Sequence, residues 1–318
     1  MSELTKYHRM LKTLRCEEVD RLPWSTYLHS TVHDRGVRQF ANYILNFHRR
    51  FEPDYVKVMM DENYDTPVDM QYVKEINCWN LFEPLDPHKG SFGRQLESIK
   101  IIKDTLGPDV PVLITVYSPF YWAMRMCQDV MKHYREDSQT VNRGITAITE
   151  SIIAFVKTCI NEAGVDGFYH AIFGCEPSWM TEEEFKQWPV PHSNRVFAAM
   201  REAPMVIAHI HGPEKNYFDV CEPFDCDALS WEDRTAGPSI AEARKKTKKC
   251  LVGGINHKTS ISASPEEVYN EAIDAIKQSG GYGLVLAPGC TFDPRTPAEN
   301  MFALKRAVHD CAGKKFKA

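Results

Sequence analysis

Ala208-His209-Ile210-His211-Gly212 closes an apolar run at residues 205–210 and carries two imidazoles two positions apart. On a strand, residues i and i+2 leave the same face, so both rings project together. Cys290, in Ala287-Pro288-Gly289-Cys290-Thr291 after the last apolar run, can bring a thiolate to the same place. Two imidazoles and one thiolate can bind zinc and leave a fourth position for water or substrate, the pattern of a catalytic rather than a structural site. The same spacing also fits two hydrogen-bonded histidines and an inert thiol.

Such side chains must be held by strands. Eight short apolar runs qualify, at residues 22–28, 55–59, 112–117, 167–172, 205–210, 228–231, 250–255 and 282–287. Runs such as Val112-Leu113-Ile114-Thr115-Val116 are apolar throughout rather than alternating, which suits parallel strands covered on both faces. Helix starts punctuate the intervals: Ser264-Pro265 with Glu267, Thr296-Pro297 with Glu299, Thr181 with Glu184, and Ser239 with Glu242 read as N-caps with capping-box acids. Eight strands alternating with helices predict an α/β fold, a (β/α)8 TIM barrel, as a single domain over residues 1–318. The polar stretch 61–89 reads as an elaborated connection after the second run, and no repeat or linker divides the chain.

Barrel enzymes carry their chemistry just past the strand ends. That filter selects His29, the Asp61/Glu62/Asn63 group, Tyr117 with Ser118, His170, His209 with His211, Glu232 with Asp233, Asn256 with His257, and Cys290. Glu232 and Glu176 are candidates for an extra ligand or an acid/base, and His170 and Tyr117 for further catalytic positions; each has a polar strand end or an exposed loop carboxylate as its ordinary alternative. His8, His48, His192 and His309 read as solvated. Tyr117, Phe120, Tyr121 and Trp122 fit a substrate-pocket wall and fit helix packing equally well. Cys221 and Cys226 have half the spacing of a zinc ribbon but no second pair, and read as buried thiols. No GxxxxGK[ST], GxGxxG, HExxH or serine-elbow motif is present.

The 318 residues are 43% apolar and 25% charged, with a formal net charge of -5. Such a chain can bury a large core, and its charge gives no cationic field for nucleic acid or anionic lipid, so neither is an expected partner. The first twenty residues lack an apolar signal segment and no run reaches membrane-spanning length, so a cytoplasmic protein is expected. Ten scattered cysteines fit reduced, mostly buried thiols.

Several segments together resemble the uroporphyrinogen decarboxylase superfamily in order and spacing. They are Leu14-Arg15 with Val19-Asp20-Arg21-Leu22-Pro23-Trp24, Pro204 through His209-Ile210-His211-Gly212, Gly253-Gly254-Ile255-Asn256, Gly281 through Pro288-Gly289-Cys290, and Thr296-Pro297-Ala298-Glu299-Asn300. The resemblance implies a (β/α)8 barrel. The decarboxylases of that family carry an arginine-rich substrate clamp after the first strand, where this chain has Leu28-His29-Ser30-Thr31-Val32-His33, and a Gly-His-Gly segment where it has Gly289-Cys290-Thr291. The chain is more similar to the family's zinc-dependent methyltransferases that work with corrinoid proteins. Their zinc ligands are a His-x-Cys pair and a distant Cys, and His209, His211 and Cys290 fall on those positions with histidine in place of the first cysteine.

One thiolate fewer makes a bound zinc more Lewis acidic and less able to activate a thiol. The resemblance therefore implies a zinc-dependent methyltransferase that takes a methyl group from a small O-methyl donor, aromatic donors included, and passes it to the cobalt of a corrinoid (cobalamin) carried by a separate protein. An open mouth for that partner is expected, with His29, Tyr117, His170, His209, Glu232 and Cys290 on one rim; a homodimer is compatible with the sequence. The competing readings are a zinc lyase or hydrolase using Glu232 or Glu176 as base, a metal-free decarboxylase of a small acid, and a barrel that binds a tetrapyrrole without turnover.

Overall fold

Continuous apolar runs become parallel strands when both of their faces are covered. The computed structural model describes residues 3–67, 70, 72–314 and 316. Seven of the eight runs form such strands: β1 (Val56–Val58), β2 (Val112–Tyr117), β3 (Gly167–Ile172), β4 (Met205–Ile210), β5 (Ala228–Trp231), β6 (Cys250–Ile255) and β7 (Leu284–Pro288). They pair in chain order in one parallel sheet, with helices between them. Every strand residue is buried.

The register puts Tyr169 opposite Ile207, Ala171 opposite His209, and His209 opposite Ser230. On the inner face Tyr55, Leu113, Tyr169, Ile207, Val252 and Val285 share a cluster, which Met10 and Leu14 of the helix Lys6–Leu14 join. The outer face packs on the surrounding helices in a larger cluster. The sheet thus curls around an inner core, and its carboxyl ends carry the side chains selected above.

The eighth run, residues 22–28, departs from the expected eight-stranded barrel. It makes two isolated parallel bridges, Trp24 with Leu286 and Leu28 with Phe292. Ser25 N–H donates to Leu286 O and Leu286 N–H to Pro23 O, both at 2.9 Å, while Asp54 N–H, just ahead of β1, donates to Trp24 O at 2.9 Å. A regular ladder fails for local reasons. Pro23 has no N–H to give. The Trp24 N–H is taken by the buried Asp54 carboxylate at 3.0 Å, and the Ser25 hydroxyl donates to Tyr55 O at 3.2 Å. Side chains occupy bonds that a strand would give to its neighbour's backbone.

Capping boxes form at Thr181, Ser239 and Ser264 as the sequence predicts. The fourth does not. The helix Ala298–Asp310 has Pro297 at its N-cap, and the Thr296 hydroxyl is buried without a partner. Of the histidines expected in solvent, His48 is buried on the helix Val37–Phe51 because it lies on that helix's apolar face with Ile44, Leu45 and Phe51. The elaborated connection after β1 holds a short 3-10 helix, Ile76–Leu81, and its Asp65 accepts the Ser91 N–H and hydroxyl at 2.7 Å where the helix Gly90–Leu106 begins. Among the described residues, no helix is long and apolar enough to cross a membrane.

Candidate metal centre

Three side chains from three strand ends meet: His211 after β4, Glu232 after β5 and Cys290 after β7 each offer a ligand atom, and these atoms lie within 4.8 Å of one another. The His211 N–H donates to Ile172 O at 3.0 Å, which ties the end of β4 to β3. Its ring stacks on Phe173, with centroids 4.1 Å apart. Burial holds its pKa down to about 4, so it is neutral at pH 7, as a ligand must be. Glu232 is only 2% exposed, and burial raises its pKa. His257 Nε2 at 3.6 Å and Lys258 Nζ at 3.7 Å face its carboxylate. Burial raises the Cys290 thiol as well, while the charge of Lys57 pulls it the other way.

A divalent cation fits this set. His211 Nδ1 is buried without a hydrogen-bond partner, an unusual state for a polar atom unless something else engages the ring. One imidazole, one carboxylate and one thiolate form a mixed nitrogen, oxygen and sulfur set of the kind zinc accepts, with one position left open.

His209 shares the inward face with His211 but sits one step deeper. Their ring centroids are 6.0 Å apart, and His209 Nδ1 lies 3.2 Å from Ser230 Oγ. Ser230 in turn accepts from the Tyr169 hydroxyl at 2.5 Å, and Tyr169 contacts the Tyr27 hydroxyl at 3.1 Å. Burial first, then the charge of Lys57, pushes the His209 pKa well below its usual value. His209 therefore stands beside the three-residue cluster rather than in it.

The remaining candidates separate by strand parity. Tyr117 is buried at the end of β2 and feels the charges of Asp61 and Cys290, so it belongs to the mouth. It stacks on Tyr121 at 4.0 Å, and Tyr121 and Tyr117 both touch Phe173, so an aromatic wall runs from β2 to His211. Glu176 is half-buried beyond β3, its pKa raised chiefly by burial, and its charge reaches Glu232. His170 is different. Because Tyr169 points inward, His170 points outward, where its Nδ1–H donates to Val116 O at 2.9 Å and its ring meets Phe197 of the helix Pro189–Met200 edge-on. It faces the helical layer, away from the cluster, which corrects its expected place on the rim. His29 is half-exposed and bound through Nδ1 to Asp61 at 2.6 Å.

Lys57 was not selected by the strand-end filter, because it lies inside β1 rather than beyond it. The signal was present: a single lysine in the apolar run Tyr55-Val56-Lys57-Val58-Met59, at an inward position. Cys221 and Cys226 are free and buried, as read from their lone spacing.

Comparison with known proteins agrees with this architecture. The family model described as uroporphyrinogen decarboxylase (URO-D) matches residues 55–311. A methylcobamide:CoM methyltransferase MtaA of Methanosarcina barkeri is 27% identical over 215 residues, which cover 67% of this chain and 62% of the relative, so the match spans less than two thirds of that protein. A uroporphyrinogen decarboxylase of Mycolicibacterium smegmatis is 27% identical over 121 residues, covering 36% of this chain and 33% of the relative. The solved structure of a methyltransferase from Methanosarcina mazei superimposes with a TM-score of 0.82 at 22% identity, covering 97% of this chain and 99% of that one, which establishes the shared fold. With the family model spanning most of its length and the fold held in common, the chain belongs to the uroporphyrinogen decarboxylase family.

Proposed function

We propose that this chain is a zinc-dependent methyltransferase that moves a methyl group between a small substrate and the cobalt of a corrinoid carried by a separate protein. The observation that carries the reading is the meeting of His211, Glu232 and Cys290 at the strand ends. The curated relatives named as methylcobamide:CoM methyltransferases support it. His211, Glu232 and Cys290 would hold the zinc, with His209 beside them as a further donor; when bound, the metal supplies Lewis-acid polarisation of a substrate heteroatom.

The chain's own residues do the rest. Cys290 and Glu232 bring two negative charges when ionised, so the carboxylate offsets the thiolate that histidine replaces at position 211. That moderates the gain in Lewis acidity expected from the His-x-His pair. Tyr117, Tyr121 and Phe173 offer an apolar, aromatic side to the substrate and favour an aromatic or otherwise apolar O-methyl donor. Glu176 stands on the same rim as a candidate proton carrier.

Metal analysis of the purified protein tests the site, with about one zinc per chain expected. Methyl transfer from a methoxyarene panel to cob(I)alamin tests the reaction. A protein that holds no zinc, or that turns such substrates over without any corrinoid, overturns the reading; the second result points to the lyase or hydrolase alternative.

A further inference from the structure

Lys57 is the inward side chain in the middle of β1. It is only 8% exposed, and its Nζ lies over the faces of Tyr169 at 3.6 Å and Tyr27 at 4.0 Å. Among the described residues it makes no ion pair and no side-chain hydrogen bond. Aromatic faces attract a cation but leave its three donors unused. The carboxylate whose charge it feels is already hydrogen-bonded elsewhere: Asp61 binds the His29 ring at 2.6 Å through one oxygen and the Ser30 N–H at 2.8 Å through the other. The other anion that Lys57 senses is the Cys290 thiolate.

A charge count shows what is left over. A divalent cation on the cluster is neutralised by Cys290 and Glu232 as thiolate and carboxylate. The ammonium of Lys57 then has only the charge of Asp61 to answer it, with no direct ion pair between the two. A buried ammonium without a direct partner either gains one or gives up its proton. Small side chains stand on the neighbouring strands, with Ala171 opposite His209 in the register and Ala287 on the inner face of β7.

We infer that Lys57 is the anchor for an oxyanion on the substrate, so that the ligand is a small carboxylate-class molecule reaching from the metal cluster to the β1 ammonium. This rests on the metal-site reading above and adds the chemical class of the substrate to it. The preference belongs to the fold's interior and not to the rim, since Lys57 lies within β1 while His211, Glu232 and Cys290 lie beyond their strands. Burial holds the Lys57 pKa down to about 7, and an oxyanion against it favours the charged form.

Calorimetric titration with isosteric pairs tests the anchor: acetate against acetamide, methoxyacetate against methoxyacetamide, and para-methoxybenzoate against its amide, each on zinc-loaded and metal-free protein. At least one carboxylate should bind about tenfold or more tighter than its amide, and Lys57→Met should bring the two together. In parallel, carbon-13 reductive methylation of the wild type reports on Lys57 without any variant: its dimethylamino signal should shift with the carboxylate and stay still with the amide. Equal affinities in every pair, or a preference that survives in folded Lys57→Met, overturn the anchor. Zinc content measured on the same samples separates the two ideas. Zinc present without any carboxylate preference defeats the anchor alone, whereas a Lys57-dependent preference in protein that takes no zinc defeats the metal reading and leaves the anchor standing.

Discussion

At Cys290 the thiol sits between opposing influences. Burial resists ionisation, Lys57 favours it, and Glu232 opposes it. A divalent metal would resolve the conflict by replacing the proton, so metal binding should release protons and weaken as pH falls, because the thiol and carboxyl must ionise and His211 must stay neutral. Cys290→Ser should lower zinc affinity on the order of 100-fold. Glu232→Gln keeps an oxygen but loses the charge, and should also weaken zinc binding, by less than Cys290→Ser. Competition with a chromogenic chelator across pH measures both. Unchanged zinc binding in Cys290→Ser would return that residue to the ordinary role of a buried thiol.

At the scale of single elements, helix starts that look alike in sequence differ in what they contribute. Ser264 accepts the Glu267 N–H at 3.2 Å while Glu267 accepts the Ser264 N–H at 2.7 Å, both bonds of a capping box. Thr296 makes neither, and its hydroxyl is buried unpaired. Ser264→Ala should therefore destabilise by about 1 kcal/mol. Thr296→Val, which removes an unsatisfied hydroxyl and keeps the shape, should be neutral or stabilising. Urea unfolding of the two variants distinguishes them, and equal losses would show that Thr296 caps its helix in solution.

Across the whole molecule, two features decide stability. The first is the join between the N-terminal segment and β1, where fully buried Asp54 accepts Arg9 at 2.8 Å, Arg21 at 2.6 Å and the Trp24 N–H at 3.0 Å. Asp54→Ala takes the carboxylate from Arg21 and leaves Arg9 with Asp20 alone, and should cost about 3 kcal/mol, read as a fall in the urea midpoint. The second is a set of neutral histidines, His48 and His170 buried and His192 half-buried. Burial depresses His48, His170 and His192 to about 4. Their unfolded values lie near 6.5, so between about pH 6.5 and 4 the unfolded chain binds more protons, and stability falls as pH drops through that window. His170, fully buried, should account for about 3 kcal/mol of that fall. His170→Gln keeps a donor for Val116 O and should flatten the slope between pH 7 and 5; an unchanged slope would mean that His170 does not govern it.

The sequence by itself determined seven of the strands and the chemistry available at the strand ends. The runs ending in Tyr117, Ile172, Ile210, Trp231 and Ile255 are strands with the limits read from their apolar residues, because strands buried on both faces need continuous apolarity and that is visible residue by residue. His211 and Cys290 were legible for the same reason, as polar residues placed just past such runs. Tertiary structure alone decided the rest. Whether Glu232 or His209 joins them depends on how far each strand rises along the curled sheet, a shear that no local pattern encodes. His170 was misplaced because strand parity is fixed only once a neighbour such as Tyr169 is known to face inward. The eighth run failed to pair as a strand because Asp54, thirty residues after Trp24, takes the donor that a neighbouring backbone needed. Local hydrophobicity sets what each segment can be, and competition between distant polar groups for the same hydrogen bonds sets which partner it meets.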